Sequence, residues 1–198
     1  MEIVLSTFNP GKIREIKSYL GDRGLKISTL LDLPYPISLK EARNSYQENA
    51  IHKAQTVANI TGKITLADDS GLEVDALGGK PGVESARFGG EGLTDSQRNQ
   101  LLLEYLKDIP WAQRTARYIC LIAIVKPGRE PFLCQGVCEG LIAFKGQGDK
   151  GFGYDPIFYL PEYSKTMAEL DLTLKNHISH RAKALTQAKQ ILLGLGLP

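Results

Sequence analysis

Little in this chain of 198 residues is present in the amount that would mark a special class. Cysteine occurs three times, as Cys120, Cys134 and Cys138, and no histidine stands near at a zinc-ligand spacing. All three lie in segments patterned as strands, and Cys134 and Cys138 share one strand face. Buried free thiols are expected there, rather than a disulfide framework or a zinc site. Charge of one sign is scarce: 24 basic residues against 22 acidic ones leave +2, so no global field recruits nucleic acid. A continuous basic stripe is missing as well. No apolar run is long enough to span a bilayer, and no signal peptide precedes the first strand. A cytoplasmic protein with no membrane and no nucleic-acid partner is expected. Repeats and low-complexity tracts are absent, and the sole tryptophan, Trp111, sits in a Pro110-Trp111-Ala112 loop.

What remains is an ordinary globular composition, 42% hydrophobic and 23% charged, long enough for one domain over 1–198 to bury its own core. Residues 2–6 read as a buried strand. Asn9-Pro10-Gly11-Lys12 turns into a helix with Ile13, Ile16 and Leu20 on its buried stripe, ended by Gly21 and Gly24. Leu25 to Leu31 is the next strand, completing a βαβ-like opening. A second helix is predicted over 46–61, with Ala50, Ala54, Val57 and Ala58 on one face and Thr61-Gly62 as its stop. Ile64 to Ala67 is a strand that delivers Asp68 and Asp69 to its C-terminal end. A structured glycine-rich loop over 70–92 follows, with a short hairpin at Leu72 to Asp75. Thr94 and Asp95 start a helix through Lys107 whose stripe is Leu101, Leu102, Tyr105 and Leu106. Thr115 to Val125 and Phe132 to Phe144 form a hairpin around Lys126-Pro127-Gly128-Arg129. Asn176 caps a last helix that faces Ile178, Ala182, Leu185 and Leu192 to the core.

The most informative stretch runs from Ala67-Asp68-Asp69-Ser70 to Arg87-Phe88. Neighbouring carboxylates repel, and they are stable together mainly where a cation or proton sits between them. Hard oxygen ligands suit magnesium, which usually also holds substrate phosphates. Residues 65–96 carry seven acids against Lys80 and Arg87, whereas residues 165–190 carry five bases against Glu169 and Asp171. An acidic element for a cation and a basic one for an anion is the functional reading; two solvated faces is the bland one. Ser6-Thr7-Phe8-Asn9-Pro10-Gly11-Lys12 is a strand-to-helix loop whose free N–H groups and lysine suit phosphate, without the P-loop spacing. Asn49 and Lys53, four apart, share a helix face, with Glu48 beside it. Gly151-Phe152-Gly153-Tyr154-Asp155-Pro156 offers aromatic faces for stacking and a carboxylate for base N–H groups, or else a tight turn packed into the core. Lys175-Asn176-His177-Ile178-Ser179-His180-Arg181 places bases and two histidines at a helix start.

In this order, these blocks resemble the inosine/xanthosine triphosphate pyrophosphatases. The likeness runs from residue 3 to the final helix, and the Asp68–Phe88 and Gly-Phe-Gly-Tyr-Asp-Pro blocks are its most specific parts. Phe8 departs from it, where glycine is common, and Asp149-Lys150 is an extra charged pair. The resemblance implies an α/β fold with two lobes around a long central mixed β-sheet flanked by helices, the active site in the cleft between them, and a homodimer. It implies magnesium-dependent hydrolysis of ITP, dITP and XTP to the monophosphate and pyrophosphate, which keeps such nucleotides out of DNA and RNA. Carried over by position, Asp69 is the proton acceptor and a metal ligand, with Asp68 beside it and Glu41 as a further metal-site carboxylate. Thr7, Phe8, Asn9, Pro10, Gly11, Lys12, Lys53 and Ser70 hold the triphosphate. Phe152, Gly153, Tyr154, Asp155, Lys175, His180 and Arg181 surround the base and sugar. Backbone N–H groups of the 152–155 loop, or His180 and Arg181, are the expected donors to the 6-oxo group that hypoxanthine and xanthine carry and adenine lacks. A broader phosphatase and a nucleotide sensor without turnover are the competing readings.

Overall fold

Ile3, Val4 and Leu5 are all fully buried because the first strand, β1 (Glu2–Leu5), is covered on both faces. The structure, a computed structural model, describes residues 2–21, 25–39 and 45–196. Pro10 opens α1 (Pro10–Leu20), and the Asn9 side chain caps it by accepting the Lys12 N–H. The chain returns in β2 (Lys26–Thr29), parallel to β1, so the βαβ opening is present. The strand stops short of the expected Leu31. The Asp32 carboxylate takes both the Thr29 N–H and its hydroxyl, at 2.7 and 2.8 Å, and turns the chain into a 3-10 helix. The second helix, α2 (Tyr46–Thr61), has the expected bounds: Ser45 caps its start, and Gly62 at φ 66° closes it in the left-handed region. Gly24 and Glu41 lie outside the described residues.

The largest departure follows. The strand after α2 does not end at Ala67; β3 (Ile64–Val74) runs eleven residues, so Asp68 and Asp69 sit in mid-strand. It pairs in parallel with β1. Next comes α3 (Asp95–Tyr105), begun by a Thr94/Gln97 capping box. Of its expected stripe, Leu102 and Leu106 are fully buried, but Tyr105 is exposed and lies 5.8 Å from the Phe88 ring. The long strands β4 (Thr115–Val125) and β5 (Phe132–Ile142) are joined through the Lys126–Arg129 turn. β5 ends two residues early because the Arg114 guanidinium takes the carbonyls of Ile142 and Ala143. After β6 (Phe158–Leu160) and β7 (Lys165–Thr166), the expected single last helix is two: α4 (Leu172–Ile178), capped by Asp171 rather than Asn176, and α5 (His180–Gly194), with extended Ser179 between them.

The seven strands form one mixed sheet in the order β2-β1-β3-β4-β5-β6-β7, with β5–β6 and β6–β7 antiparallel. The chain divides into two compact units. The first comprises Met1–Asp69, Cys120–Gly136 and His180–Pro198; the second comprises Ser70–Ile119 and Val137–Ser179. In the first unit Ile3, Leu5, Ile64, Leu66, Cys120 and Ile122 pack under Ile16 and Leu20 of α1 and Leu185 and Leu192 of α5. Val4, on the opposite face of β1, packs with Val57 of α2. A Cβ at Gly136 would stand 2.0 Å from the His180 carbonyl oxygen, so only glycine lets β5 pass the start of α5. In the second unit Leu72, Leu102, Leu106, Tyr118, Ile142 and Phe158 form the core. Arg114 is buried there, gives hydrogen bonds to backbone carbonyls including Leu106 O at 2.6 Å, and lies 4.6 Å over the Phe144 ring. Trp111 packs against that ring and Tyr159.

Candidate active site

Successive side chains of a strand point to opposite faces, and this separates the two aspartates. Asp68 shares its parity with Ile64 and Leu66, which face α1 and α5. Its carboxylate is wholly buried. One oxygen, Oδ2, accepts from Arg181 Nε at 2.9 Å and from the Cys120 thiol at 3.1 Å; the other, Oδ1, pairs with Lys12 of α1. Asp69 points the other way and meets α2. Lys53 Nζ lies 2.7 Å from its Oδ1, and Asn49 Nδ2 donates to Oδ2 at 3.0 Å. Lys53 also donates to the Asp68 carbonyl at 2.8 Å. The adjacent acids therefore do not share one cation; each has its own on its own face. Sequence pattern brought Lys12, Lys53, Asp68 and Asp69 together, and so does the structure.

The environments drive the two acids apart. Burial pushes Asp68 up, but Arg181 and then Lys12 outweigh it and hold its carboxyl well below the usual range. For Asp69 burial wins over the attraction of Lys53 and Lys12, and its pKa is raised. Burial and then the neighbouring Asp68 charge push the Cys120 thiol far up, so it remains a donor. A buried carboxylate with a raised pKa, its plane fixed by an amide and a lysine, has the chemistry to accept a proton.

Around this corner the Thr7–Lys12 loop is built as expected for a helix start. Thr7 is half-buried, Phe8, Asn9 and Pro10 are exposed, and Gly11 is buried. Thr7 Oγ1 accepts the Asn9 N–H at 3.1 Å, so the first turn is capped from within. Ser70, half-buried, follows Asp69 directly.

Does the donor set fit magnesium? Among the described residues no three His, Cys, Asp or Glu side chains converge on a metal position. A magnesium ion does not need such a cage, because it is commonly held by one or two carboxylates with substrate phosphates and water. Each Asp69 oxygen keeps acceptor capacity beyond the bond described, and Asp69 alone of the pair retains exposure on its carboxylate. The fit is to an ion shared with a phosphorylated ligand.

The second unit holds the other expected residues. Asp155 is buried; its Oδ2 accepts the Phe152 N–H at 2.9 Å and pairs with Lys175, and its Oδ1 accepts from Tyr118 at 3.4 Å. A Cβ at Gly151 would lie 2.0 Å from that carboxylate, and its φ is 78°, so glycine is required twice over. Tyr154 is buried and donates to the Ser85 carbonyl at 2.8 Å. The Gly153 N–H goes to Asp95 at 2.7 Å, and its carbonyl accepts from Asn99 at 3.1 Å. The N–H groups of Phe152, Gly153 and Asp155 are thus used inside the unit and do not stand ready for a 6-oxo group. Phe152 is partly buried, with its ring 5.2 Å from Lys175 Nζ, and lines a cavity of about 440 Å³ with Asp95, Asn99, Lys150 and Ile157. His180 and Arg181, expected near the base and sugar, belong to the first unit, with Arg181 on Asp68 and Glu15.

Glu15, Cys120, Asp95 and Asn99 make contacts here that the sequence pattern does not assign to a site. A signal existed for three of them: Asp95 and Asn99 are one helical turn apart behind a visible capping box. Glu15 lies one turn beyond Lys12 and next to Ile16, an acid on the buried side of an amphipathic helix.

A family model described as the Ham1 family matches residues 3–191. A Desulforamulus reducens protein named dITP/XTP pyrophosphatase is 48% identical over 192 residues, 97% of this chain and 96% of its own length. A Geobacillus kaustophilus protein of the same name is 48% identical over 186 residues, 94% and 91% of the two chains. Among solved structures, a HAM1 protein from Coxiella burnetii superposes with a TM-score of 0.88 at 42% identity, covering 98% of this chain and 99% of that one. The Ham1 protein of Staphylococcus aureus gives 0.86 at 38% identity, with coverage of 98% and 99%. On the full-length match and these relatives, the chain belongs to the Ham1 family.

Proposed function

We propose that this protein is a nucleoside triphosphate pyrophosphatase that hydrolyses the non-standard purine nucleotides dITP, XTP and ITP to the monophosphate and pyrophosphate. The observation that carries the reading is Asp69, a buried carboxylate with a raised pKa, fixed by Asn49 and Lys53 beside a lysine-bearing helix start. Full-length relatives named dITP/XTP pyrophosphatase supply the substrate class. Asp69 takes the proton of the water that attacks the α-phosphorus. Lys12 and Lys53 meet the phosphate charge, and the Thr7–Gly11 loop and Ser70 complete the phosphate end. Asp69 and the substrate phosphates would hold a magnesium ion, with Glu41 the further carboxylate that the family resemblance implies, and the ion would supply charge shielding at the leaving pyrophosphate. Asp68 fixes Lys12 and Arg181 rather than offering a coordinating face, since its carboxylate is enclosed. The partly buried Phe152 ring is the stacking surface for the purine, on a loop held in shape by Gly153, Tyr154, Asp155 and Lys175.

A two-lobed single domain, a homodimer and a cytoplasmic role in clearing deaminated purines complete the proposal. Incubation with dITP and magnesium tests it. Equal amounts of dIMP and pyrophosphate are expected; orthophosphate in place of pyrophosphate would make the protein a broader phosphatase, and tight binding without product would make it a sensor.

A further inference from the structure

Phe152 stands between two glycines in the left-handed region, Gly151 at φ 78° and Gly153 at φ 63°. Glycine crosses readily between backbone regions that other residues avoid, so such a segment has little resistance of its own to swinging. The direction of the Phe152 ring therefore depends on the bonds that hold the loop. One lies within it, from the Phe152 N–H to Asp155 Oδ2. Two more come from α3. Asp95 Oδ2 accepts the Gly153 N–H at 2.7 Å, and Asn99 Nδ2 donates to the Gly153 carbonyl at 3.1 Å. Asp95 and Asn99 are one helical turn apart, so a single face of α3 grips both backbone groups of one glycine. Asn99 is buried and Asp95 exposed, and both line the cavity that Phe152 lines.

We propose that Asp95 and Asn99 are positioning residues for the purine: they clamp Gly153 and so hold the Phe152 ring in the orientation that stacks on the base. The inference rests on the function proposed above in taking Phe152 as the stacking surface. The Gly153 N–H belongs to the peptide plane that joins it to Phe152, and its carbonyl to the plane that joins it to Tyr154. An acceptor on the first and a donor on the second restrain both planes. A stack needs the ring plane held against the base. A ring free to swing loses conformational entropy when the base arrives, whereas a ring fixed in advance does not. Lys12, Lys53 and Asp69 belong to the first unit and have their own partners there, so the clamp acts on base affinity and not on the chemical step.

A double-mutant cycle with Phe152 tests this, read as the calorimetric affinity for dIMP and, separately, for tripolyphosphate with magnesium. Asn99→Leu is expected to weaken dIMP about tenfold, within what the stacking of one base contributes, and to leave tripolyphosphate within about twofold. KM for dITP should rise with it while kcat stays within about threefold. In a Phe152→Leu background the same Asn99 change is expected to alter dIMP affinity less than about twofold, because its effect runs through the ring. Asp95→Ala should weaken dIMP in the same way, and Asp95→Asn, which keeps an oxygen for the Gly153 N–H, should recover most of that loss. If Asn99→Leu does not fold, Asp95→Ala, at the exposed end of the clamp, carries the cycle. Equal weakening of dIMP in both backgrounds, loss of tripolyphosphate binding alongside dIMP, or a fall in kcat at constant KM would overturn the proposal in favour of a clamp that only stabilises the second unit. So would the absence of dIMP binding by the unmodified protein. Neither ligand needs turnover. Absence of pyrophosphate release by the unmodified protein therefore strikes the proposed function and leaves the cycle to decide on the clamp.

Discussion

A carboxylate that serves as a base must lose part of its hydration without losing its charge, and Asp69 meets that demand through burial set against Lys53 and Asn49. Asp69→Asn keeps the size and removes the acceptor of the water proton; kcat is expected to fall at least ~10²-fold. Near-normal turnover by that variant would move the base elsewhere. The raised pKa has a sign. The proton-free form is the working one, and it is lost as pH falls; in the protein without magnesium the Asp69 carboxyl should take up its proton above the ordinary 3.8 of an aspartate, as read by carboxyl NMR titration. A midpoint at or under 3.8 in the metal-free protein would contradict the assignment. Asp68, Asp69, Lys12 and Lys53 were legible because adjacent acids after an apolar run, and a lysine at a helix start, are uncommon enough to stand out. Their division of labour was hidden by a premise, that neighbouring acids share an ion, which strand alternation overrides. The family resemblance implies a place near base and sugar for Arg181, whereas its partner Glu15 is 166 residues away, a distance that no local pattern bridges.

Elements decide what the Phe152 loop can do. The Lys175 ammonium on α4 is buried against Asp155, which in turn receives the Phe152 N–H, so helix and loop are tied by one ion pair. Removing one partner of such a pair leaves an uncompensated charge, at a cost of about 3–5 kcal/mol. Lys175→Ala is therefore expected to lower the unfolding free energy by that order in urea titration. An unchanged stability with only a raised KM would instead make Lys175 a direct nucleotide contact. Capping explains which boundaries could be read in advance. Ser45 and Gly62 delimit α2 where the sequence placed them. The break at Ser179 escaped because Asn176 is a credible cap, yet Asp171 takes that part and α4 finishes before α5 begins. The early stop of β2 rests on the Asp32 side chain, a local competitor for backbone donors that hydrophobic pattern ignores.

At the scale of the whole molecule the order of elements was largely readable: apolar runs give buried strands, glycine and proline give the turns, and the family resemblance supplies the mixed sheet. No helix among the described residues is long and apolar enough to cross a membrane. Metal dependence is also argued at this scale. Asp68 and Asp69 already have Lys12, Arg181 and Lys53 as partners, so the fold does not wait on an ion. Chelation with EDTA should stop pyrophosphate release, leave the circular dichroism and melting curve unchanged, and be reversed by added magnesium. Melting on chelation would reveal a structural ion instead. The alternation along β3 has one more consequence. Insertion or deletion of a single residue between Ile64 and Ala67 would send the first acid to α2 and the second to α1 and α5, exchanging their lysines. Two residues would restore the facing, so the strand tolerates length changes by parity, as a ratchet accepts only whole teeth.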